Sequence, residues 1–232
     1  MRLSILILTH NRPELFKRCL ESVLSQITPD VEVIVNNDSC DIEEIVHPQV
    51  TYYYYKPASL CEIYKFLLIM AHGKYVYYLE DDDYLNKDFL TVELTADLIV
   101  GNYCPMYSPS NIMNIMSMYK EQSIAPDVFL SNLNIEHLQL SQHIFKRHTI
   151  HDFDFQMDNN IHNDIRLVIH AARKSDTVKT TSKVLYYQTI DGGDNISFPD
   201  SISSINTIQT LTFLEDNGLQ DTKTHPTGSR SH

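Results

Sequence analysis

The sequence predicts an α/β domain built on a mostly parallel β-sheet that is flanked by helices. The chain has 232 residues, which is an ordinary length for one domain of this class. Hydrophobic residues make up 43% and charged residues 21%, a composition typical of a globular protein rather than a disordered or fibrous one. In the first 100 residues, short apolar runs alternate with segments whose apolar residues recur at helical spacing. This alternation indicates parallel strands joined by helical crossovers.

The first two strands and the helix between them have clear local signals. The apolar run from Leu3 to Leu8 predicts a buried strand. Pro13 is suited to begin a helix, because the N–H that proline lacks has no partner in a first turn. Apolar residues then recur at helical spacing as far as Leu24. The β-branched run 31–35 predicts a second strand, which ends in the polar turn 36–39.

The next elements follow the same alternation. Residues 50–55 predict a third strand, and residues 58–71 predict a helix with Gly73 as a cap beyond its end. Residues 75–79 predict a fourth strand that leads directly into four consecutive acidic residues, 80–83.

Beyond the fourth strand the patterns are less regular. They predict a helix over 87–100 with Asn86 as its N-cap, loops with short elements over 101–136, a strand over 138–145, a helix over 163–173, a strand over 178–188 and a helix over 202–214. We expect a single domain over residues 1–220, followed by a flexible polar tail over 221–232.

The charge of the chain bears on its partners. Eighteen Lys and Arg stand against thirty Asp and Glu, for a formal charge of −12. Such a surface repels a phosphate backbone on average, which argues against general binding of DNA or RNA. It does not exclude a local basic groove, for which the candidates are Lys146, Arg147, Arg166, Arg173 and Lys174.

The sequence also bears on compartment. The apolar run at the N-terminus is too short for a signal peptide, and no apolar stretch approaches the roughly 20 residues of a membrane span. The four cysteines show no spacing typical of a zinc site, so we expect reduced thiols. We therefore expect a soluble cytoplasmic protein without a membrane span.

Three polar clusters follow predicted strands at the point where each strand ends. They are Thr9-His10-Asn11, the turn 36–39 and the acidic run 80–83. The carboxyl ends of parallel strands meet at one edge of a sheet, where α/β proteins bind their ligands. The sequence therefore predicts a ligand site at this edge.

The acidic run Glu80-Asp81-Asp82-Asp83 has two interpretations. Adjacent carboxylates repel one another unless a cation lies among them, and oxygen ligands suit Mg²⁺ or Mn²⁺, which also share substrate phosphates. Alternatively, the run is a solvated acidic turn that caps a following helix. Its place beside two other polar loops favours the metal site.

Four stretches together resemble family 2 glycosyltransferases, in the order in which that family has them. They are LSILILTHNRPELFKRCLESVLSQ, VEVIVNNDSCD, AHGKYVYYLEDDDYL and IHNDIRLVIHAARKSDTVKTTSKVLYYQTIDGGDNIS. The resemblance covers residues 3 to about 198. It implies the GT-A fold, a Rossmann-like nucleotide-diphospho-sugar transferase fold, with a nucleotide-sugar-binding half over 1–100 and an acceptor-binding half over 101–220.

The same resemblance implies an activity. Family members transfer a sugar from a nucleotide-sugar, usually a UDP-sugar, to an acceptor with inversion at the anomeric carbon. The chain is therefore expected to be a glycosyltransferase that uses a divalent cation, Mn²⁺ or Mg²⁺. Its acceptor would be a hydroxyl group on a saccharide, a lipid or a protein.

The donor-binding residues implied by the resemblance lie at the three strand ends. The family's DxD-type motif maps onto Glu80-Asp81-Asp82, with Asp82 as the direct metal ligand and Asp81 and Glu80 near the ribose and the metal-bound waters. The remaining positions are the first loop, Thr9, His10, Asn11 and Arg12, in which His10 takes the place of a base-stacking aromatic, and the second loop, where Asn37 replaces the usual uracil-binding Asp beside Asp38.

Other positions implied by the resemblance concern the proton and the diphosphate. Asp164, preceded by Asn163, matches the family's catalytic base. Lys65 follows Tyr64 where the family often has an Arg-Asn pair, and it is expected to reach the diphosphate. Rivals to Asp164 are Asp152, Asp154 and Asp158, and Asp191 is a weak substitute for a metal-binding His that the family often has.

Three other functions stay open at this point. One is a glycosyltransferase that acts on a modified nucleic-acid base, against which the acidic charge argues. Another is a nucleotidyltransferase, although its usual Gly-rich first loop is missing from THNRPE. The third is a non-catalytic module that binds a nucleotide-sugar.

Overall fold

The computed structural model of the chain describes residues 1–39, 42–56, 59–108, 111–112, 118–133, 138–155 and 163–190. Its α-helices are α1 (Pro13–Leu24), α2 (Leu60–Met70), α3 (Pro126–Ser131) and α4 (Asn163–Lys174). Its strands are β1 (Leu3–Thr9), β2 (Val31–Asn37), β3 (Val50–Tyr53), β4 (Tyr75–Glu80), β5 (Tyr84–Leu85), β6 (Leu98–Ser108), β7 (Asn111–Ile112), β8 (Gln122–Ile124), β9 (His143–Lys146) and β10 (Val178–Thr189). The predicted helix 202–214, the tail 221–232, Cys40, Asp158 and Asp191 lie outside the described residues.

A single sheet runs through the described part of the chain in the order β3-β2-β1-β4-β9-β6-β10-β5. Strands β1 to β4 pair in parallel, and so do β6 and β10. Strand β9 pairs antiparallel with both β4 and β6 and so joins the two parallel groups. The predicted α/β class is confirmed.

The register of the central strands sets the position of the polar clusters. Thr9 at the end of β1 pairs with Asn37 at the end of β2, and Leu8 pairs with Glu80 at the end of β4. The side chains that follow these three strands therefore begin at one edge of the sheet, as the sequence predicted.

Side chains of β1 alternate between two apolar layers, one on each face of the sheet. Ile5 and Ile7 belong to the layer that contains Phe16 and Leu20 of α1. On the opposite face, Leu6 belongs to the layer formed with α2 and α4. Both faces of the parallel strands are therefore covered, which agrees with their continuous apolar sequences.

The helix predicted over 87–100 is wrong. A short 3₁₀-helix spans Phe89–Thr91, and Leu98, Ile99 and Val100 begin the long strand β6. These three side chains are fully buried between β9 and β10. A short apolar run fits a helix or a strand equally well by periodicity, and here pairing with strands distant in sequence decides for the strand. The predicted N-cap Asn86 is also wrong, because Asp88 is the N-cap of this 3₁₀-helix; the Asn86 Oδ1 instead accepts a hydrogen bond from the Asp88 N–H at 3.0 Å.

Gly73 has a different role from the predicted cap of α2. The C-cap is Ala71, whose extended backbone ends the helix. A Cβ atom on Gly73 would lie 2.5 Å from the Ser4 backbone nitrogen and 2.6 Å from the Tyr75 carbonyl oxygen. Glycine is therefore required by the close approach of this segment to β1, not by capping.

Several smaller boundaries differ from the prediction. Asn36 and Asn37 belong to β2 rather than to the following turn, and β6 continues through residues expected to be loop. The strand predicted over 138–145 is shorter, because a 3₁₀-helix over Leu140–Gln142 precedes β9. Helix α4 and strand β10 agree with the prediction.

None of the helices in the described part of the chain is long and apolar enough to cross a membrane. Cys19, Cys61 and Cys104 are not joined by disulfide bonds to one another.

Candidate active site

The first loop turns sharply after β1. Asn11 has a backbone φ of 50°, in the left-handed region that asparagine tolerates better than most residues. This turn precedes Pro13, at which α1 begins. The backbone N–H of His10 points back to the acidic turn, which is formed by residues 80–83, and donates to Asp81 Oδ2 at 3.4 Å.

Arg12 connects this loop to the acidic turn. Its Nη1 donates to Asp81 Oδ1 and to Asp82 Oδ2, at 3.1 Å in each case. The Arg12 side chain is 20% exposed, and those of Asp81 and Asp82 are 7% and 12% exposed. Two sheltered carboxylate oxygens therefore meet at a single positively charged nitrogen.

Contacts from α1 and β10 hold the backbone of the acidic turn. Arg18 donates to the Asp82 carbonyl oxygen and to Thr189 Oγ1, and its guanidinium lies 5.0 Å from the centre of the Tyr84 ring. Thr189 Oγ1 donates to the same Asp82 carbonyl at 2.5 Å, and its backbone N–H donates to Asp83 Oδ1 at 2.9 Å. Asp83 thus fixes the turn to the end of β10. Sequence reasoning missed Arg18 and Thr189, since Thr189 lies 107 positions from its partner.

Glu80 makes its contact on α2. Its Oε1 accepts a hydrogen bond from the Tyr64 hydroxyl at 2.9 Å, and the Tyr78 hydroxyl in turn donates to the Tyr64 carbonyl at 3.2 Å. Burial raises the pKa of Glu80 to about 7, and the negative charges of Asp82, Asp81 and Asp164 add to this rise. The hydrogen bond from Tyr64 opposes it. Glu80 is therefore poised to change protonation near neutral pH.

Two further acids of the turn are also shifted. Burial raises the pKa of Asp81, while the Thr9 hydroxyl and the Arg12 guanidinium partly offset the rise. Burial raises the pKa of Asp83 well above its usual value, and the charge of Asp82 adds to the effect. These carboxylates are costly to hold ionised without a cation nearby.

Asp164 lies in the first turn of α4. Its Oδ1 accepts a hydrogen bond from the Ile165 N–H at 2.8 Å, and burial raises its pKa to about 6. Its charge raises the pKa values of Tyr64 and Glu80. The structure thus brings Asp164 within electrostatic reach of the acidic turn, while Asn163 contacts Cys61 Sγ at 2.8 Å.

Asp152 and Asp154, the other described candidates for the catalytic base, have different surroundings. Asp152 is bound by Lys174 Nζ at 2.8 Å and His170 Nε2 at 3.1 Å, and these contacts lower its pKa. Asp154 is exposed.

Asn37, the last residue of β2, and Asp38, which follows it, have different partners. Asn37 is buried, and its Oδ1 accepts hydrogen bonds from the N–H and the hydroxyl of Ser39, both at 2.9 Å. Asp38 Oδ1 contacts the exposed His10 ring at Nδ1, at 2.5 Å. The structure therefore joins the first and second loops through His10 and Asp38.

Lys65 was predicted to reach the diphosphate, but the structure does not bring it to the acidic turn. It is exposed on α2, and among the described residues no contact joins it to the acidic turn.

The carboxylate oxygens of the acidic turn suit a hard divalent cation that takes only some of its ligands from the protein. Among the described residues, no group of three or more His, Cys, Asp or Glu side chains has the arrangement of a complete metal site. Asp81 and Asp82 nevertheless present two carboxylate oxygens to one cationic nitrogen. Mg²⁺ is often bound by only one or two carboxylates, with water and substrate phosphates as its other ligands. The residues therefore fit such an ion.

Comparison with known proteins agrees with the resemblance seen in the sequence. Residues 4–96 match the family described as glycosyl transferase family 2. The glycosyltransferase GlyA of Streptococcus pneumoniae serotype 4 is 25% identical over an alignment of 117 residues, which covers 44% of this chain and 17% of GlyA. The chain therefore spans less than a fifth of the length of this relative.

Solved structures of TarS from S. aureus share the fold. A TarS 1-349 structure in complex with UDP-GlcNAc aligns with a TM-score of 0.66 at 16% identity, covering 91% of this chain and 67% of that one. A structure of TarS aligns with a TM-score of 0.64 at 19% identity, covering 94% of this chain and 45% of that one. The resemblance to family 2 and the predicted GT-A fold are confirmed.

Proposed function

We propose that the chain is a metal-dependent, inverting glycosyltransferase, because residues 4–96 match the glycosyl transferase family 2 model. It transfers a sugar from a nucleotide-sugar, most simply a UDP-sugar, to a hydroxyl group of a saccharide, lipid or protein. One observation carries the proposal. The oxygens of Asp81 and Asp82 converge on one positive charge at the sheet edge where the loops after β1 and β2 also lie.

The two aspartates are the proposed metal ligands. Asp82, with Asp81, would hold Mn²⁺ or Mg²⁺ at the place to which Arg12 now presents its charge. A cation bound there supplies positive charge to the departing diphosphate. Arg18 and Thr189 fix the Asp82 backbone, so they keep its carboxylate in place.

The first two loops are the proposed nucleotide site. The exposed His10 ring is held by Asp38 and presents a flat surface on which a base can stack. The Oδ1 atom of Asn37 accepts hydrogen bonds from Ser39. The amide nitrogen of Asn37 is therefore the proposed donor to a carbonyl oxygen of uracil. A crystal structure of TarS with UDP-GlcNAc supports a uridine nucleotide as the first choice to test.

Asp164 is the proposed catalytic base. In the transfer, the acceptor oxygen forms a bond to the anomeric carbon while the bond from that carbon to the diphosphate oxygen breaks. The electron pair of the broken bond leaves with the diphosphate, and the acceptor proton passes to the Asp164 carboxylate. Burial raises the pKa of Asp164 to about 6, which suits a group that must be ionised at neutral pH and still bind a proton. Asp152 is less suited, because Lys174 and His170 lower its pKa.

The direct test is release of UDP from UDP-GlcNAc in the presence of Mn²⁺, with acceptor classes tried in turn. We expect release by the unmodified chain and loss of release in Asp82→Asn and Asp164→Asn. Asp88→Asn, which removes the same charge from an exposed residue near the turn, is the matched control. Inversion is read from the anomeric configuration of the product. Pyrophosphate as the product would indicate a nucleotidyltransferase, and binding without turnover of any donor would indicate a binding module.

A further inference from the structure

The Arg12 side chain already occupies the place at which the proposed cation would contact Asp81 and Asp82. Its Nη1 lies 3.1 Å from one oxygen of each carboxylate, and all three side chains are largely sheltered from water. Charge-assisted hydrogen bonds of this kind are stronger than neutral ones. A divalent cation that binds the same two oxygens must therefore displace or compete with the guanidinium.

The backbone and the side chain of Arg12 have separate partners. Its backbone is the N-cap of α1, and its carbonyl oxygen accepts a hydrogen bond from the Phe16 N–H at 2.9 Å. The side chain makes no capping bond to the helix. The long side chain can therefore change partners while the helix keeps its start.

We propose that Arg12 is a built-in counter-cation: it neutralises Asp81 and Asp82 before the metal arrives and then moves to the diphosphate of the donor. This inference rests on the proposed function, because it takes a metal and a nucleotide diphosphate as the ligands of the site. Arg12 is thus a positioning residue in the free protein and a phosphate ligand in the complex. Guanidinium groups suit both partners, since their donors match carboxylate and phosphate oxygens equally well.

A single substitution of Arg12 should change the affinities for Mn²⁺ and for UDP in opposite directions. Arg12→Met removes the competing charge, so Mn²⁺ without nucleotide should bind at least about tenfold more tightly than to the unmodified chain. The same variant lacks the phosphate contact, so UDP in saturating Mn²⁺ should bind about tenfold more weakly. General damage to the site would weaken both.

Mn²⁺ binding is measured by electron paramagnetic resonance of the free ion, and UDP binding by calorimetry. Lys17→Met is the matched control, since it removes a positive charge from an exposed position of α1, and both constants should stay within about twofold. Arg12→Lys keeps the charge and should stay close to the unmodified chain in Mn²⁺ affinity. If Arg12→Met does not fold, Arg12→Gln replaces it in both titrations.

The outcomes separate the inference from the proposed function. If the unmodified chain binds UDP in a Mn²⁺-dependent way, but Arg12→Met has unchanged or weaker Mn²⁺ affinity, the counter-cation role is overturned and the proposed function stands. Tighter Mn²⁺ binding with unchanged UDP affinity overturns the move to the diphosphate. If the unmodified chain binds neither Mn²⁺ nor UDP together with it, both proposals fall.

Discussion

The two sides of the acidic turn after β4 are bound by different chemistry. On one side, Asp81 and Asp82 contact the guanidinium of Arg12. On the other side, Glu80 contacts the hydroxyl of Tyr64, and the charge of Asp164 lies close enough to raise the pKa of Glu80.

Because of this difference, the pKa values of Asp81 and Glu80 are set by different neighbours. Burial raises the pKa of Asp81, and the Thr9 hydroxyl and the charge of Arg12 partly offset that rise. For Glu80, only the hydrogen bond from Tyr64 is among the main effects that oppose burial, and its pKa rises to about 7. We infer that the side with Arg12 is suited to binding a metal and a diphosphate, and that the side with Asp164 is suited to proton transfer.

The largest expected effect is that of Asp82→Asn. Removing one of the two converging charges should lower UDP release in Mn²⁺ by about a thousandfold or more, since metal stabilisation of a leaving group is worth several kcal/mol. The rate is measured by coupled detection of UDP. A loss of less than about tenfold, with Asp88→Asn unchanged, would place the metal elsewhere.

Asp164→Asn is the corresponding test of the proton side. It should lower the rate by about 10²–10⁴-fold, the usual contribution of a general base, while the Kd for UDP stays unchanged. Asp152→Asn is the control, and its rate should fall little. If donor binding fails in Asp164→Asn, the two sides are not separate in function.

Glu80→Gln sharpens the comparison through pH. The folded-state pKa of about 7 lies above the ordinary value of 4.5, so the folded protein holds a proton that the unfolded chain has lost. Stability should therefore fall as pH rises between these values. Denaturant unfolding in EDTA should show a loss of about 2 kcal/mol from pH 5 to pH 8 for the unmodified chain relative to Glu80→Gln. Parallel stability curves for the two proteins would argue against a protonated Glu80.

The smallest expected effect is that of Tyr64→Phe. It removes one hydrogen bond to Glu80 and should cost about 1 kcal/mol of unfolding free energy. Tyr54→Phe changes an exposed tyrosine and should be neutral. A cost equal to that of Tyr54→Phe would mean that the Tyr64 hydroxyl contributes nothing to holding Glu80.

The sequence predicted most of the donor side of the fold and less of the rest. Buried parallel strands have local apolar patterns, and the rule that ligands lie at their carboxyl ends placed His10 and Asp81 at one edge. The pairing of Arg12 with Asp81 spans 69 positions and has no local signal. The same reason explains the error at Leu98–Val100, which form a strand only because β9 and β10 lie on either side of β6.

The decisive measurement for the proposed metal and donor site is a calorimetric titration of the chain with UDP, with and without Mn²⁺. We expect that UDP binds in the presence of Mn²⁺, that chelation of the metal abolishes binding at the same concentrations, and that Asp82→Asn loses the metal-dependent binding. Equal UDP affinity with and without Mn²⁺, unchanged by Asp82→Asn, would contradict this expectation.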